Sequence, residues 1–274
     1  MDSLLSQAVV QIRRRAHREA IAMGATLAVV ALGLIMLIVE RRHPGRRFER
    51  VAGWPMRAVL LTTAQAAFTI FATWGWDRWF FGRAPWSLGG HGLVPDALIG
   101  YFLITFVYYW WHRARHGVPL LWQWLHQIHH SACSIEVLTS FYKHPAELLL
   151  NSILTSSILY LVVGLDAASA SLAILFAGIA ELFYHWNVRT PRWLGYFIQR
   201  PESHCIHHLR GWHRSNYSDL PLWDILFGTF ENPRTQPTPC GFGPVPERQL
   251  AFMLLGKKLA DGPAPSRPAS PPES

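Results

Sequence analysis

The feature that most constrains the fold is a series of long apolar stretches. The stretch from Ile21 to Val39 carries no charged side chain; it is longer than a signal-peptide core and lacks an obvious small-residue cleavage site. Further apolar stretches lie at roughly 58–76, 97–111, 147–164 and 168–186. A helix needs about 20 residues to cross roughly 30 Å of hydrocarbon, where the backbone must satisfy its own hydrogen bonds. The sequence therefore predicts an all-α integral membrane protein, a bundle of about four to five transmembrane helices.

Composition supports this class and argues against a nucleic-acid-binding protein. Half of the residues are hydrophobic and only 15% are charged, whereas soluble domains carry about 25% charge. The formal net charge of +8 comes largely from arginines that flank the apolar stretches, so an anionic lipid surface is the simpler partner. Cys133, Cys205 and Cys240 form no CxxC pair, which predicts neither a disulfide nor a zinc–thiolate site.

Charge asymmetry between the loops predicts the orientation. Lys and Arg cluster in three segments: Arg41, Arg42, Arg46, Arg47, Arg50 and Arg57 after the first stretch; Arg113, Arg115 and Lys143 after the third; and Arg189, Arg192, Arg200, Arg210 and Arg214 after the fifth. The positive-inside rule places these segments in the cytoplasm. Five spans would then put the Arg-rich N-terminus outside. Either the rule is violated there or the first stretch does not cross fully.

The chain divides into four predicted parts. Residues 1–20 form either a basic amphipathic helix on the membrane or a frayed tail, and residues 21–94 form the N-terminal transmembrane helices. Residues 95–232 form the catalytic domain, in which only Leu165 to Ala167 separate the last two apolar stretches and predict a tight helical hairpin. Residues 233–274 form a C-terminal extension whose Pro-rich tail, from Asp261 onward, is predicted to be disordered.

The residues that carry the chemistry are histidines. Of 14 histidines, eight fall in three clusters that follow the patterns HxxxH, HxxHH and HxxHH. The clusters are His112 and His116; His126, His129 and His130; and His204, His207 and His208. On a helix, residues i and i+4 lie about 40° apart, and i+3 lies about 60° to the other side, so each HxxHH can point three imidazoles into one arc of roughly 100°. The clusters are predicted to lie in a helical cap on the cytoplasmic side of the bundle.

So many imidazoles are too many for one ion and favour two ions close together. Imidazole suits iron, zinc, copper and nickel, but a structural zinc site has four ligands and usually includes cysteine. We expect two Fe²⁺ ions that react with O2, because redox activity gives such a site a purpose, although the residues alone do not fix the metal.

Several further residues are candidates around this centre. His185 ends the fifth apolar stretch on the same predicted face and is a ninth candidate ligand. Ligating histidines usually donate their other N–H to a carboxylate or carbonyl. The predicted supporting residues are Glu181, Asn187, His213, Asp219 and Asp224. Asp219 and Asp224 could instead only cap helices, and His144, which precedes Pro145, could cap a helix or contact substrate.

These clusters resemble the fatty acid hydroxylase / sterol desaturase superfamily of membrane di-iron enzymes. The resemblance covers roughly residues 95–232 and rests on the order and spacing of the three histidine clusters. Supporting motifs are Leu121-Trp122-x2-Leu125 before the second cluster, Lys143-His144-Pro145-x-Glu147 beyond it, and Asn216-Tyr217-Ser218-Asp219 and Trp223-Asp224-Ile225-Leu226-Phe227-Gly228-Thr229-Phe230 after the last.

The resemblance implies oxygen-dependent hydroxylation or desaturation of a lipid C–H bond, with His185 among the metal ligands. Some acyl hydroxylases of the family have another histidine where this chain has Arg189, which leaves nine ligands rather than ten. No fused cytochrome b5 segment is visible, so a separate electron donor is implied, a ferredoxin or a cytochrome b5-like protein with its reductase. Sterols, fatty acyl chains, alkylglycerols and bacterial aminolipids all stay open as substrates.

Two other functions stay open for the clusters. A metal transporter would place its ligands near the bilayer midplane, whereas these clusters lie at the ends of apolar stretches. A bis-histidine haem electron carrier would pair histidines within facing helices. A zinc hydrolase is disfavoured because the pattern HExxH is absent.

Overall fold

The computed structural model describes residues 23–25 and 27–262 of the chain. Its helices are α1 (Met23–Arg42), α2 (Trp54–Ala72), α3 (Leu93–Gly117), α4 (Gln127–Ser131), α5 (Pro145–Ser156), α6 (Ala167–His185), α7 (Pro201–His207), α8 (Pro221–Leu226), α9 (Pro244–Glu247) and α10 (Leu250–Leu254). Further helical turns are Thr73–Asp77, Arg78–Phe80, Pro119–Leu121, Trp122–His126, Val137–Thr139, Ser157–Val162 and Arg192–Tyr196. Within these described residues there is no β-strand, only one isolated bridge between Leu209 and Cys240. The predicted all-α membrane bundle is confirmed.

Four of the described helices are long and apolar enough to cross a membrane. They are Met23–Arg42, Leu93–Gly117, Pro145–Val162 and Ala167–His185. The third predicted stretch, 97–111, is part of a helix of 25 residues, Leu93–Gly117. The second predicted stretch, 58–76, is helical in α2 but is not among the four.

Helix α2 nevertheless runs between the same two ends of the bundle as the other four. At its start, Trp54 Nε1 donates to Glu136 Oε1 at 2.6 Å, in the loop that follows the second histidine cluster. Beyond its other end, Asp77 accepts a hydrogen bond from Ser156, which lies near the turn between α5 and α6. Five helices therefore connect a histidine end and a hairpin end.

Helix α1 ends at the histidine end of the bundle. Its buried Glu40 accepts from the backbone N–H groups of Val137 and Asn187, both at 3.1 Å. Alternation along five helices then places the start of α1 at the opposite, hairpin end. The predicted amphipathic segment 1–20 and the tail from residue 263 onward lie outside the described residues.

The predicted hairpin between the last two apolar stretches is present. Asp166 caps α6 by accepting from the N–H groups of Ala168 and Ser169. Gly164 has φ +71°, and a Cβ there would lie 2.3 Å from the carbonyl oxygen of Trp86. Glycine thus lets the hairpin turn and the loop before α3 approach closely. Helix α3 packs closely against α6 and the hairpin, since a Cβ on Gly100 would lie 3.3 Å from the Cβ of Ala173 in α6 and 2.8 Å from Leu159 and Leu165 of the hairpin.

The C-terminal segment packs on the histidine end. Glu247 binds the Arg57 guanidinium at 2.7 Å and accepts from the N–H of Cys133 at 2.9 Å. Phe242, Leu250 and Met253 join the buried cluster around Ile128 in α4. The predicted boundary at residue 232 therefore separates two stretches that share one core, since the described part of residues 233–274 packs against the catalytic part.

Candidate metal centre

Four separate stretches of chain carry their histidines to one point. The last turn of α3 carries His112 and His116, and α6 ends at His185. The second cluster spans a wide helical turn and α4, and the third ends α7. All nine predicted histidines come together there, and eight of them are buried, with His116 partly buried.

The nine histidines form two groups. The first group, which we call the five-histidine group, is His112, His116, His126, His130 and His207. The second, the four-histidine group, is His129, His185, His204 and His208. Within each group the candidate ligand nitrogens all lie within 4.8 Å of one another. The rings of His130 and His208 stack with centroids 4.2 Å apart, so the two groups are adjacent.

The helical period explains how each cluster is divided. Positions i and i+4 of a cluster enter the same group: His126 with His130, and His204 with His208. The remaining residue, His129 or His207, enters the other group. This follows from the 100° step per residue, since i+4 lies about 40° to one side of i and i+3 lies about 60° to the other side. The three imidazoles of each HxxHH cluster, predicted to point into one arc, are thus divided between the two groups.

Backbone carbonyls fix the orientation of three imidazoles. His112 Nδ1 donates to the Tyr217 carbonyl at 2.8 Å, His207 Nδ1 to the Ser215 carbonyl at 2.7 Å, and His185 Nδ1 to the Glu181 carbonyl at 2.9 Å. Because a carbonyl oxygen can only accept, each Nδ1 carries the proton, and each Nε2 presents a lone pair to the interior. This is the tautomer that a metal ligand requires.

The distances between ring nitrogens, and the ring nitrogens that lack a hydrogen-bond partner, fit a centre that binds metal ions. His126 Nδ1 donates to Glu147 Oε1 at 3.0 Å, so its Nε2 is bare, yet it lies 2.9 Å from the bare Nε2 of His112. In the four-histidine group, His204 Nδ1 accepts from the Gln199 side-chain amide at 2.7 Å, so its Nε2 carries the proton and donates to His185 Nε2 at 3.1 Å. The lone pairs of His112 and His126 repel at 2.9 Å unless a cation lies between them. Other buried ring nitrogens among the described residues have no hydrogen-bond partner: His116 Nε2, His129 Nδ1, both nitrogens of His130, His207 Nε2 and His208 Nδ1.

Burial also keeps these side chains in the form that binds metal. Desolvation lowers the pKa well below the usual histidine range for six of them outside the membrane-spanning helices, namely His126, His129, His130, His204, His207 and His208. A neutral imidazole is the ligating species. The cluster is therefore in its binding form at neutral pH.

Glu147 is a site residue that sequence reasoning did not single out. It is fully buried in α5, accepts from His126 Nδ1, and also accepts from the guanidinium of buried Arg115. A carboxylate behind a ligating histidine fixes the tautomer and raises its basicity. The available signal was its place in the motif Lys143-His144-Pro145-x-Glu147, a carboxylate at the start of an apolar helix.

The predicted supporting residues take different places. Glu181 lies next to His185, and its carboxylate binds Lys143 Nζ at 2.9 Å. Asp224 accepts from the N–H groups of Tyr217 and Ser218 at 2.8 and 3.0 Å, and so holds the loop whose carbonyl orients His112.

The other three predicted supporting residues, His213, Asn187 and Asp219, do not orient a ligating imidazole through a hydrogen bond. His213 lies against His130, with ring centroids 4.7 Å apart, and its Nε2 binds Asp261 at 2.5 Å. Asn187 forms its side-chain hydrogen bonds with the backbone of Arg46 rather than with a histidine. Asp219 hydrogen-bonds to two tyrosines, and burial raises its pKa to about 7.

His144 caps α5, since its Nδ1 accepts from the N–H of Ala146 at 3.0 Å.

A cavity of about 620 Å³ extends from the centre into the helix bundle. Histidines of both groups line one end, among them His112, His126, His129 and His204. Residues of α1, α2, α5 and α6 line the rest. Val30 and Leu34 of α1 line this cavity and are also about half exposed on the outer surface, at 47% and 57%. The cavity therefore reaches the lipid-facing surface of the bundle.

Together these features define a helical membrane protein with a nine-histidine centre able to bind metal, reached by a cavity from the lipid side. The family model for the fatty acid hydroxylases matches residues 97–229. This match, over just under half of the chain, supports the resemblance to the fatty acid hydroxylase / sterol desaturase superfamily that the motifs indicate.

Curated relatives agree with this assignment. The chain is 30% identical to a very-long-chain aldehyde decarbonylase, GL1-5, of Oryza sativa subsp. indica, over 53% of this chain and 25% of that protein. It is 28% identical to the alkylglycerol monooxygenase of Homo sapiens, over 57% of this chain and 34% of that protein. It is 31% identical to protein CER1-like 1 of Arabidopsis thaliana, over 54% and 25%. The chain thus spans only a quarter to a third of the length of these relatives, and no solved structure matches it significantly.

Proposed function

We propose that this protein is a membrane-bound non-haem di-iron oxygenase that hydroxylates or desaturates a C–H bond of a lipid. The observation that carries the proposal is the convergence of nine neutral imidazoles into adjacent groups of five and four. Two ferrous ions bound there would supply the activation of O2, as redox metals do in such sites. The nine ligands in the proposal are His112, His116, His126, His129, His130, His185, His204, His207 and His208.

The chain's own residues orient the ligands and restrict the site. Carbonyls of Tyr217, Ser215 and Glu181 and the carboxylate of Glu147 hold four imidazoles in the ligating tautomer. The histidine end is buried, which excludes bulk water from the reaction. The cavity from the lipid side supports a substrate that enters from the bilayer.

Orientation and partners are part of the same proposal. The basic segments that carry the histidine clusters favour the cytoplasmic side for the metal centre. Electrons would come from a separate donor, a ferredoxin or a cytochrome b5-like protein with its reductase. The relatives' printed names include both a monooxygenase and aldehyde decarbonylases, so the product has to be identified directly.

Metal analysis and lipid chemistry test the proposal together. The protein purified from iron-supplemented cells is expected to contain about two irons per chain and to consume O2 in the presence of a reductant and membrane lipid. Comparative lipidomics of a deletion strain is expected to reveal a lipid that is lighter by one oxygen or heavier by two hydrogens. Less than one metal per chain, unchanged by iron supplementation, contradicts the proposal. Metal flux in liposomes would indicate a transporter instead, and a Soret band would indicate a haem protein.

A further inference from the structure

The chain that follows the third histidine cluster turns back along helix α3. We call residues 217–228, which include α8, the α8 segment. In this segment Trp223 Nε1 donates to Thr105 Oγ1 at 2.9 Å, and Ser218 Oγ donates to the Thr105 carbonyl at 3.2 Å. The α8 segment therefore packs beside the middle of a helix that is long and apolar enough to cross the membrane.

The contacts with α3 give the depth of the α8 segment. The ring of Trp223 lies 4.9 Å from that of Phe102, between centroids. By the rise of an α-helix, Thr105 lies about 10 Å from His112 along α3, and Phe102 lies about 15 Å from it. Residues 97–111 of α3 carry no charged side chain and end next to His112. Since the hydrocarbon core is about 30 Å thick, α8 lies at a depth well inside it.

The side chains that the α8 segment turns outward are apolar. The large exposed ones are Leu222, Ile225, Leu226 and Phe227. Its two charged residues, Asp219 and Asp224, point inward: Asp224 is buried, and Asp219 lines the cavity and hydrogen-bonds to two tyrosines. Charged side chains that point inward and apolar side chains that point outward are typical of a surface in contact with lipid.

The outward face of α8 continues the lipid-facing side of α3. Leu98, Phe102 and Trp110 of α3 are exposed on the surface of the bundle. The ring of Phe227 packs on that of Trp110, with centroids 4.8 Å apart. The two exposed faces thus form one apolar surface at the same depth, and the same solvent must cover both.

Aromatic and basic residues mark the level at which the α8 segment ends. Trp193 and Tyr196 are exposed in the helical turn before α7, beside the exposed Arg192. The ring of Tyr196 lies 5.7 Å from that of Phe230, which follows the α8 segment. Trp, Tyr and Arg are enriched at the boundary between lipid and water. The segment therefore returns to this boundary after α8.

Backbone groups of the α8 segment have the partners that a site without water requires. The carboxylate of Asp224 accepts from the N–H groups of Tyr217 and Ser218. The Asp224 carbonyl accepts from the N–H of Thr229 at 2.8 Å. Pro221, at the start of α8, has no N–H to satisfy. Irregular backbone is tolerated at membrane depth where its polar groups are satisfied by the protein.

We infer that residues 217–228 form a re-entrant segment. It enters the hydrocarbon core from the histidine side, lays the exposed face of α8 against the acyl chains of that leaflet, and returns to the same side. Tyr217, whose carbonyl orients His112, lies at its start. An element embedded in one leaflet thus holds a candidate metal ligand in place.

Spin labels on α8 test this inference. The full-length protein with Leu222→Cys or Leu226→Cys is labelled with a nitroxide and reconstituted in phosphatidylcholine bilayers. Oxygen concentrates in hydrocarbon, whereas a nickel chelate stays in water. Both labels are expected to collide with O2 as often as a label at Leu98→Cys in α3. Collisions with the chelate are expected to be at least about threefold rarer than at Val245→Cys, because a polar complex enters hydrocarbon at a high cost.

The chain offers matched controls for this experiment. Val245 is 68% exposed and Leu226 is 62% exposed, but Val245 lies in the C-terminal segment that packs on the histidine end. The native cysteines, Cys133, Cys205 and Cys240, are buried, so the unsubstituted protein gives the background signal.

Two results overturn the inference. If the chelate reaches both α8 labels as often as it reaches the Val245 label, the segment faces water. If both labels are shielded from O2 as well as from the chelate, a protein surface covers α8, either a second copy of the chain or another partner. Neither result depends on bound metal or on turnover.

Discussion

The two histidine groups differ in what surrounds them. The five-histidine group is backed by the buried pair of Arg115 and Glu147 and is flanked by the rings of Trp122 and His213. Beside the four-histidine group lie Tyr184, whose ring is 4.4 Å from that of His204, and Glu181, whose carbonyl orients His185. Histidines of both groups line the cavity, so the groups differ in what lies behind the imidazoles and not in their access to the cavity.

The two groups also differ in their number of candidate ligands. Four imidazoles leave an ion more open coordination positions than five, and open positions are what a reacting site requires. The stacked rings of His130 and His208 belong to different groups and hold the two sites side by side. Perturbations of one group should therefore be separable from perturbations of the other.

The largest effect is expected from removing one ligand of each group. His207→Ala and His204→Ala should each abolish lipid oxidation and lower the iron content from about two to about one per chain or less, because a structural ligand set loses affinity when a ligand is missing. Elemental analysis and O2 consumption check this. His43→Ala, at an exposed position outside both groups, should keep wild-type iron content. Wild-type iron content in both ligand variants would contradict the assigned ligands.

A smaller effect is expected when the carboxylate behind one group is removed. Glu147→Gln should weaken metal binding or activity by roughly 10–100-fold, as for other partners of ligating histidines. It also leaves the Arg115 cation buried without its partner, so the thermal stability should fall. Metal titration of the apoprotein should show the weakening for one of two ions. If both ions weaken equally, the two groups are not independent.

The stability of the metal-free protein should depend on pH in a defined direction. Burial lowers the pKa of His126, His130 and His207 in one group and of His129 and His204 in the other. The unfolded chain binds protons near pH 6.5, whereas the folded protein does not, so stability is full above that pH and declines as the pH falls below it. The unfolding temperature of the apoprotein should therefore fall by several degrees between pH 7.5 and 5.5. A pH-independent unfolding temperature would contradict neutral, buried imidazoles.

The smallest effect is expected at the outer side of the five-histidine group. His213 contacts His130 and Trp122 but belongs to neither group. His213→Ala should leave the iron content unchanged and alter turnover by only a few-fold. Steady-state kinetics beside the iron analysis checks this, and loss of one iron would make His213 a ligand.

The sequence could predict whatever depends on local periodicity. Apolar stretches predicted the long helices, and the cluster spacing predicted eight of the histidines that converge. The ninth, His185, was predicted from its position at the end of an apolar stretch and from the family resemblance. The 58–76 stretch shows the limit, because α2 traverses the bundle without being among the helices that are apolar enough to cross a membrane unaided. Its place is fixed by contacts at both ends and not by hydropathy.

Long-range partners were beyond sequence reasoning. Glu147 and His126 are 21 residues apart, and Tyr217 is 105 residues from the His112 that it orients. Asn187 was a candidate beside the metals, yet its side chain binds Arg46, 141 residues away. Nothing in a local pattern specifies which loop lies behind which imidazole.

The sequence alone determined that the chain forms apolar helices and that positions i and i+4 of each histidine cluster point the same way, because both follow from the backbone's own geometry. Only the tertiary structure decided which of those pairs share a group, which carbonyls and carboxylates orient them, and which of the histidines line the cavity. These depend on how helices far apart in the chain pack against one another, and that packing is set by many weak contacts acting together.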